Sequence, residues 1–381
     1  MHKLKIMPSI AIVQRSVPYY RVPFFNLLTK RNPDLEIKVC HGSKTVTGTE
    51  KPSFNSCSYR NYTVNLFGYS LVLQPKLMVH LILSQPDLVV LEGTFGVLTN
   101  FVLLFVRWLT RRPTLYWTAG WDNPEILSWR RLLKSWVIRL SLGMCSGAIV
   151  YGSAARDYLV AHGLSTRKIV IAQNTINVEQ LIQDYDYWVG MGQEIRQRFA
   201  STVKKVIVYV GHLSPIKRVE ALLKSFAAIR RRRSDVALLI VGNGSQAAEL
   251  IRFVEVSETP DVHFAGEVVD GVEAYFAASD LFVLPGTGGL AINQAMALGL
   301  PVVTTIADGT EKDLVIPGEN GDLVPVDDVE ALSKAIEGIL TSPSLEQMKR
   351  NAQRIIQERA TLHNMVEQFT RAIRQQLETR R

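Results

Sequence analysis

The sequence predicts an α/β protein built from two doubly wound domains, each a parallel sheet covered by helices on both faces. Short apolar, β-branched runs alternate with longer amphipathic segments, a pattern typical of strands buried in parallel sheets. The 381 residues suit two domains rather than one. Apolar residues make up 47% of the chain, enough for two buried cores, so extended disorder is not expected.

The predicted strands form two series. Those of the first half are residues 9–14, 36–40, 88–91, 114–118, 148–151 and 169–172. Those of the second half are residues 206–210, 236–241, 262–265, 281–284, 301–304 and 322–324. The polar stretch between the series, which lacks a clear strand, predicts a linker. The expected organisation is therefore a first domain at 1–178, a linker at 179–204, a second domain at 205–345 and a helical segment at 346–381 that crosses back.

Charge is distributed unevenly. Residues 1–178 contain 21 Lys and Arg against 8 Asp and Glu, a net +13, whereas the whole chain carries +8. This excess could face an anionic membrane or a phosphorylated acceptor. No recognition module for nucleic acid accompanies it, so nucleic acid is not an expected partner.

The sequence also bears on compartment. Three scattered cysteines fit a reducing cytoplasm better than a disulfide framework. The apolar run at 10–13 is too short for a signal peptide. The most membrane-like run, 101–109, is well short of the ~20 residues that span a bilayer, and it predicts a buried helix. A cytoplasmic protein, peripheral on the inner face of the cell membrane, is the expectation.

Two loops of the second half could carry chemistry. Strand 206–210 runs into a loop with Gly211, His212, Lys217 and Arg218, followed by a helix. Free backbone amides at a strand's carboxyl end, with added positive charge, make a diphosphate site. An ordinary βα loop with a solvated Lys-Arg pair remains the alternative.

The loop after strand 281–284 contains three glycines in four residues and leads into a helix of small residues. Glycines permit close backbone approach to a ligand, and a helix start favours an anion. A tight turn that needs positive φ is the alternative. Glu311 follows the next strand and is expected at the same edge of the sheet.

Six motifs of the second half resemble glycosyltransferase family 4. They are G-x-L-x-x-x-K-R, I-V-G-N-G, V-x-F-x-G, S-D-L-F-V-L-P-G, Q-A-M-A-x-G-x-P-V-V and G-E-N-G, at residues 211–218, 240–244, 262–266, 279–286, 294–303 and 318–321. The resemblance implies a GT-B fold, with two Rossmann-like domains facing across a cleft. It also implies a UDP- or GDP-sugar donor, transfer with retention of configuration, and neither metal nor other cofactor.

On this resemblance Lys217 is a catalytic candidate that stabilises the departing diphosphate. The expected donor-binding residues are Gly211, His212, Lys217, Arg218, Gly266, Gly288, Gly289, Leu290, Gln294 and Glu311. One departure matters: the family's usual pair of glutamates falls on Gly286 and Gln294. Gln294 retains the capacity to hydrogen-bond a hydroxyl, whereas Gly286 supplies no side chain.

Resemblance in the first half is looser, and its candidates come from position. Asp122 follows strand 114–118 and is a catalytic and acceptor-side candidate, or alternatively a helix cap before Pro124. Tyr20, Arg21 and Glu92 are further acceptor-side candidates. The basic amphipathic segment 129–140 either lies on an anionic membrane or simply covers the sheet.

These observations predict a retaining glycosyltransferase of hexosyl type. It would transfer a sugar to a glycan or lipid-linked acceptor in cell-surface or exopolysaccharide biosynthesis. The alternative is a catalytically impaired nucleotide-sugar-binding partner of another transferase, which the missing glutamates favour.

Overall fold

The computed structural model describes residues 7–42, 51–66, 69–93, 96–120, 128–200 and 205–379. The chain divides into two compact units. The first comprises Met1–Gln173 with Leu362–Arg381, and the second Asn174–Thr361. Each unit is built on a parallel sheet, so the predicted pair of doubly wound α/β domains is confirmed.

In the first unit, seven described strands form one parallel sheet in the order β3-β2-β1-β6-β7-β8-β9. A separate hairpin pairs β4 with β5 in antiparallel fashion. The strands are β1 (Ser9–Gln14), β2 (Glu36–Gly42), β3 (Ser56–Tyr59), β4 (Tyr62–Leu66), β5 (Tyr69–Leu73), β6 (Leu88–Glu92), β7 (Thr114–Thr118), β8 (Gly147–Val150) and β9 (Ile169–Ile171). The sequence did not predict β3, β4 or β5. Strands β3 and β4 lack the apolar runs of the inner strands, and the apolar run of β5 is only three residues long, 71–73.

Helices cover both faces of this sheet. Leu77, Leu103 and Leu142 pack on one face and Phe24 and Phe369 on the other. The helices are α1 (Val22–Arg31), α2 (Pro75–Ser84), α3 (Leu98–Leu109), α4 (Ser128–Met144), α5 (Ser153–Ala161) and, from the end of the chain, α14 (Leu362–Glu378). The helical end of the chain thus joins the first unit, whereas the helix before it belongs to the second.

In the second unit, six strands form a parallel sheet in the order β12-β11-β10-β13-β14-β15. They are β10 (Lys205–Val210), β11 (Val236–Val241), β12 (Val262–Gly266), β13 (Leu281–Leu284), β14 (Val302–Thr305) and β15 (Gly321–Val324). The helices are α6 (Val178–Gln183), α7 (Tyr185–Ala200), α8 (Val219–Arg230), α9 (Ala247–Val256), α10 (Val272–Ala277), α11 (Leu290–Ala297), α12 (Val329–Thr341) and α13 (Leu345–Arg359). Strand order reverses between β10 and β13, which are neighbours.

The segment expected to be a linker, 179–204, instead carries most of α6 and all of α7, and it belongs to the second unit. The Asn177 side chain caps α6 by accepting from the Gln180 amide at 3.2 Å. Helix α7 packs on α10, and a Cβ on Gly192 would lie 2.7 Å from the Ala277 carbonyl carbon. Glycine at 192 therefore permits this close packing, which a polar composition alone does not reveal.

Helix α3 differs from the buried helix predicted at 101–109. Leu103 and Leu104 are buried, but Phe105 is 48% and Trp108 is 51% exposed. Among the described residues, no helix has both the length and the apolar character required to cross a bilayer.

Candidate functional site

The candidate site lies at the carboxyl edge of the second sheet. Here β10 pairs with β11 on one side and with β13 on the other. In open α/β sheets the crevice at such a reversal of strand order binds ligands. The loops that follow β10 and β13, residues 211–218 and 285–289, meet at this point.

The loop after β10 is fixed by hydrogen bonds to the loop after β11. The Gly211 amide donates to the Val241 carbonyl, and the Leu213 amide donates to the Asn243 carbonyl, each at a distance of 3.0 Å. A Cβ on Gly242 would lie 1.9 Å from the Gly211 carbonyl oxygen. Gly242 therefore allows contact between two loops and is more than a turn residue.

Two glycines let the loop after β10 lie directly on the loop after β13. A Cβ on Gly286 would lie 2.4 Å from the Ile216 carbonyl oxygen and 2.7 Å from the Lys217 carbonyl carbon. A Cβ on Gly288 would lie 2.3 Å from Lys217 Nζ. The amide of Thr287, which lies between the two glycines, donates to the Ile216 carbonyl at a distance of 3.0 Å. These glycines thus accommodate the neighbouring loop. The sequence had predicted only that they would permit close approach of a ligand.

The start of α11 offers free donors beside this contact. Within the part of the chain that the structure describes, the backbone amides of Gly288, Gly289 and Leu290 donate to no protein acceptor. The first amides of a helix carry partial positive charge and bind anions. The donors expected at these three positions are therefore available.

Lys217 stands against these amides. Its half-buried Nζ donates to the Thr287 carbonyl. Burial lowers the pKa of Lys217, while the Asp308 carboxylate opposes that shift. A partly desolvated ammonium gains more from an incoming phosphate than one in bulk water, because its attraction is less screened.

Arg218 and His212 flank Lys217 but are placed differently. Arg218 adopts left-handed backbone angles with φ of 53° and forms an ion pair with Asp327. The His212 side chain is exposed, and its carbonyl accepts from the buried Tyr209 hydroxyl at 3.1 Å. Both therefore remain donor-binding candidates at the rim of the loop.

Gln294 lies one turn into α11, near Glu273 of α10. Its Nε2 approaches Glu273 Oε1 at 3.4 Å. Burial raises the pKa of Glu273, and the contact with Gln294 opposes that shift. At the position that corresponds to the family's second glutamate, this chain thus has the Gln294 side-chain amide, with the Glu273 carboxylate next to it.

Glu311 is turned into its own loop. It is 2% exposed, and its Oε1 accepts from the Ala307 amide at 2.8 Å and the Gly309 amide at 3.0 Å. Burial and the nearby Asp308 raise the pKa of Glu311 to about 7. The sequence predicted that Glu311 would contact the donor. In the structure its carboxylate instead accepts from backbone amides and organises the loop after β14.

The raised pKa of Glu311 predicts a pH-dependent stability. A carboxyl whose pKa is higher in the folded state stabilises the fold fully below its unfolded pKa of 4.5, and that contribution is lost as the pH rises through about 7. Glu311→Gln retains an acceptor oxygen but does not titrate. Between about pH 5 and 8, the melting temperature of the wild type should fall by several degrees relative to this variant. Parallel melting curves at every pH would contradict the assignment.

Gly266 ends β12 with φ of 73°. A Cβ there would meet nothing within 4 Å, so the positive φ rather than close packing favours glycine. Its carbonyl accepts from the Gly242 amide at 2.7 Å. Gly266 therefore connects the third loop of this edge to the two already described.

The first-unit candidates have different environments. Glu92 ends β6 and accepts from the Arg15 amide, at the point where β1 and β6 pair and the order of the first sheet reverses. Tyr20 is half-buried in a short 3₁₀ turn, Tyr19–Arg21. Asp122 lies outside the described residues.

Arg21, expected on the acceptor side, is instead a core residue. It is 4% exposed, and its Nη2 donates to the Tyr151 hydroxyl at 3.0 Å. Its guanidinium lies 4.9 Å from the centre of the Trp117 ring. A cation above aromatic rings is stabilised by their quadrupoles, which explains how an arginine is tolerated at this depth.

The structure also brings forward polar groups that the sequence did not single out. Besides Glu273, they are Thr287, whose carbonyl holds Lys217, and Asp308, whose Oδ1 accepts from the Thr310 hydroxyl at 2.6 Å. Each follows or faces the carboxyl end of a strand, and this position was the available signal. Within the described residues, no three His, Cys, Asp or Glu side chains are grouped so as to hold a metal ion.

Known proteins resemble the chain at two levels. Residues 204–342 match the family model described as glycosyl transferases group 1. An uncharacterized glycosyltransferase of Haemophilus influenzae is 29% identical over 178 residues, 46% of this chain and 50% of that protein. The GDP-mannose-dependent alpha-(1-6)-phosphatidylinositol monomannoside mannosyltransferase of Mycolicibacterium smegmatis is 30% identical over 161 residues, 39% of this chain and 42% of that protein.

The alignments span half or less of the length of these curated relatives. Structural similarity extends further. The Anabaena protein HepE, solved in complex with UDP and glucose, superposes with a TM-score of 0.72 at 18% identity, over 96% of this chain and 98% of that one. The loop after β10, the loop after β13 and the start of α11 all lie inside residues 204–342, the range that the family model matches. The chain thus has the GT-B fold, and its residues 204–342 form a domain of the group 1 glycosyl transferases.

Proposed function

We propose that this chain is a glycosyltransferase. It binds a nucleotide sugar, with UDP or GDP as the nucleotide, on its second unit, and it transfers a hexose-type sugar to a hydroxyl of a glycan or lipid-linked acceptor bound on its first unit. The observation that carries the proposal is the juxtaposition of Lys217 with the free amides of Gly288–Leu290. The family match over the same residues supports it, as do the nucleotide sugars named for the relatives.

The proposed reaction retains the configuration of the transferred sugar. The bond between the anomeric carbon and the diphosphate oxygen breaks, and the acceptor oxygen bonds to the same face of that carbon. The acceptor proton passes to the departing phosphate. Negative charge grows on the diphosphate as the bond breaks, so Lys217 and the helix amides stabilise the transition state more than the ground state. This assignment requires neither a metal nor another cofactor.

In this reaction Lys217 and the helix amides stabilise the charge, and the departing phosphate takes the proton. Catalysis therefore does not require the usual glutamates. Positioning and charge stabilisation supply much of the rate in such transfers. The Gln294 amide is assigned to a nucleotide ribose hydroxyl, beside Glu273. Asp122, which follows β7 in the sequence, is assigned to the acceptor side of the reaction, together with Tyr20 and Glu92.

The setting proposed is the cytoplasmic face of the cell membrane, in cell-surface or exopolysaccharide synthesis. The net +13 of residues 1–178 supports it, because anionic lipid attracts basic surfaces. The M. smegmatis relative is named for a lipid-linked acceptor, which is consistent with this setting.

A second candidate function is nucleotide-sugar binding without transfer, as the partner of another transferase. Gly286 and Gln294, which replace the family's glutamates, favour it. The two functions share the donor site and differ in turnover.

The test is ligand-dependent stabilisation followed by turnover. A nucleotide sugar that binds the folded state raises the melting temperature by an amount set by RT ln(1 + [L]/Kd). We expect UDP- or GDP-sugars to raise it more than the corresponding nucleosides, because the loops contact the diphosphate. Release of free nucleotide in the presence of acceptor would establish transfer. Stabilisation without release, over a panel of glycan and lipid-linked acceptors, favours the binding partner, and no stabilisation overturns both.

A further inference from the structure

The first unit exposes an apolar surface on helices that also cover its sheet. Of the 23 large apolar side chains that are exposed in the described part of the chain, nine lie on α2, α3 and α4, which together span only about a tenth of the residues. Scattered exposed apolar residues are ordinary, whereas a concentration of them indicates an interaction site.

These side chains form stripes at helical spacing. On α3 the stripe is Val102, Phe105 and Trp108, exposed by 45%, 48% and 51%. The Phe105 and Trp108 rings are stacked, with centroids 6.2 Å apart. Residues three apart lie on one side of a helix, so α3 has a second apolar side opposite the one that packs on the sheet.

Helix α4 repeats this arrangement. Leu132, Trp136 and Leu140 are spaced four residues apart and are exposed by 73%, 64% and 51%, while Ile138 and Leu142 are buried against the sheet. The sequence left two readings open for this segment, a cover for the sheet or a membrane-surface helix. The helix has a surface suited to each.

The three helices adjoin one another. Helix α3 packs against both α2 and α4, and the buried sides of all three helices belong to one core on the same face of the sheet. Val79 and Leu83 of α2 are exposed by 50% and 77%. The stripes therefore belong to one surface, which we call the α2–α4 face.

The charge of this face has one sign. The sequences of α2, α3 and α4 contain no Asp or Glu. Two of the helices also carry exposed basic side chains, Lys76 on α2 and Arg139 on α4. Tryptophan and arginine or lysine beside aliphatic residues are the composition of surfaces that lie at the lipid–water interface.

A cavity of about 680 Å³ opens at the end of the α2–α4 face. The carboxyl ends of α3 and α4 line it, with Trp108 and Met144. Arg111, Arg112 and Lys168 contribute its positive charge, and its lining has no acidic residue. It lies at the amino ends of β7, β8 and β9, so it is not at the carboxyl edge where Glu92 lies.

We propose that the α2–α4 face docks on an anionic lipid bilayer and that this cavity receives a lipid phosphate headgroup. The apolar stripes enter the interface while the basic side chains meet anionic headgroups. This inference rests on the membrane setting of the proposed function but not on sugar transfer. A protein partner or a second copy of the chain would also cover apolar residues, but the absence of acidic residues from the three helices specifically favours an anionic surface.

The test is flotation of the full-length protein with vesicles, without nucleotide or acceptor. One set contains phosphatidylcholine alone, and the other adds phosphatidylglycerol. We expect binding to the anionic vesicles that decreases at high salt, with a blue shift of tryptophan fluorescence. Phe105→Glu and Trp136→Glu should each weaken binding by about tenfold or more, because a carboxylate is repelled and costly to bury at the interface.

Val256→Glu is the matched control, since Val256 of α9 is 76% exposed but lies on the second unit. It should bind vesicles like the wild type, and unchanged circular dichroism would show that all variants fold. Arg111→Gln with Lys168→Gln should remove the preference for phosphatidylglycerol. The proposal is overturned if the wild type does not float, or if the face and control variants lose binding equally. It is also overturned if sedimentation shows a dimer that Trp136→Glu dissociates while vesicles are ignored. None of these results depends on transferase activity.

Discussion

Lys217→Ala is expected to weaken binding of a nucleoside diphosphate and to lower kcat/KM for sugar transfer by roughly a hundredfold or more, the usual cost of removing one oxyanion donor. The ammonium is partly desolvated, with its Nζ held at the Thr287 carbonyl beside the free amides of α11. Its attraction to phosphate is correspondingly strong. Affinity for the nucleoside alone should change little, because the nucleoside carries no charge for Lys217 to meet.

The measurement is isothermal titration of both ligands against the wild type and the variant. Lys224→Ala is the matched control, since Lys224 lies on α8 and pairs with Glu220 at the surface. It should leave both affinities unchanged. If Lys217→Ala binds the diphosphate as tightly as the wild type, the site does not hold phosphate where we place it. If it binds weakly but transfers normally at saturation, Lys217 contributes to binding and not to the transition state.

The strands that build both sheets could be predicted because their physical signal is local. Residues 236–241 are a continuous apolar run, and all six are buried in β11. Loops at the carboxyl ends of such strands then follow from topology, which is why Lys217 and the glycines after β13 could be chosen.

Side-chain direction could not be predicted, since it depends on packing partners distant in sequence. From the sequence, Arg21 was predicted on the acceptor side, but in the structure Tyr151 and Met365 enclose its side chain. Glu311 reads as a carboxylate facing a ligand, yet it is bonded to amides two and four residues away. The apolar run at 101–109 is equally ambiguous, because composition does not tell which of two apolar sides of α3 will be covered.

The glycines after β13 show a further limit. From sequence they indicated close approach of a ligand, and the structure adds that Gly286 is in contact with protein backbone. The position where the family usually has a glutamate is occupied by the loop that carries Ile216 and Lys217. Loss of the side chain and approach of the loop are therefore one structural feature.

Gly286→Glu should consequently destabilise the protein and should not restore a family-like site. The first side-chain atom would lie 2.4 Å from the Ile216 carbonyl oxygen and 2.8 Å from Lys217 Cα, and both are backbone atoms that no rotamer change can move. Overpacking of this kind typically costs about 1–3 kcal/mol. Relief requires the loop of Lys217 to move away, so diphosphate affinity should fall together with the free energy of unfolding.

Denaturant unfolding and titration of a nucleoside diphosphate measure the two effects. Gly286→Ala should reproduce most of the destabilisation, because the conflict begins at Cβ. Gly338→Ala is the matched control: Gly338 lies within α12, and its Cβ would meet nothing within 4 Å, so alanine should be neutral or stabilise the helix by up to about 1 kcal/mol. A Gly286→Glu variant with unchanged stability and faster transfer would show that the glutamate is simply missing. Joint loss of stability and affinity would show that the loop of Lys217 has taken its place.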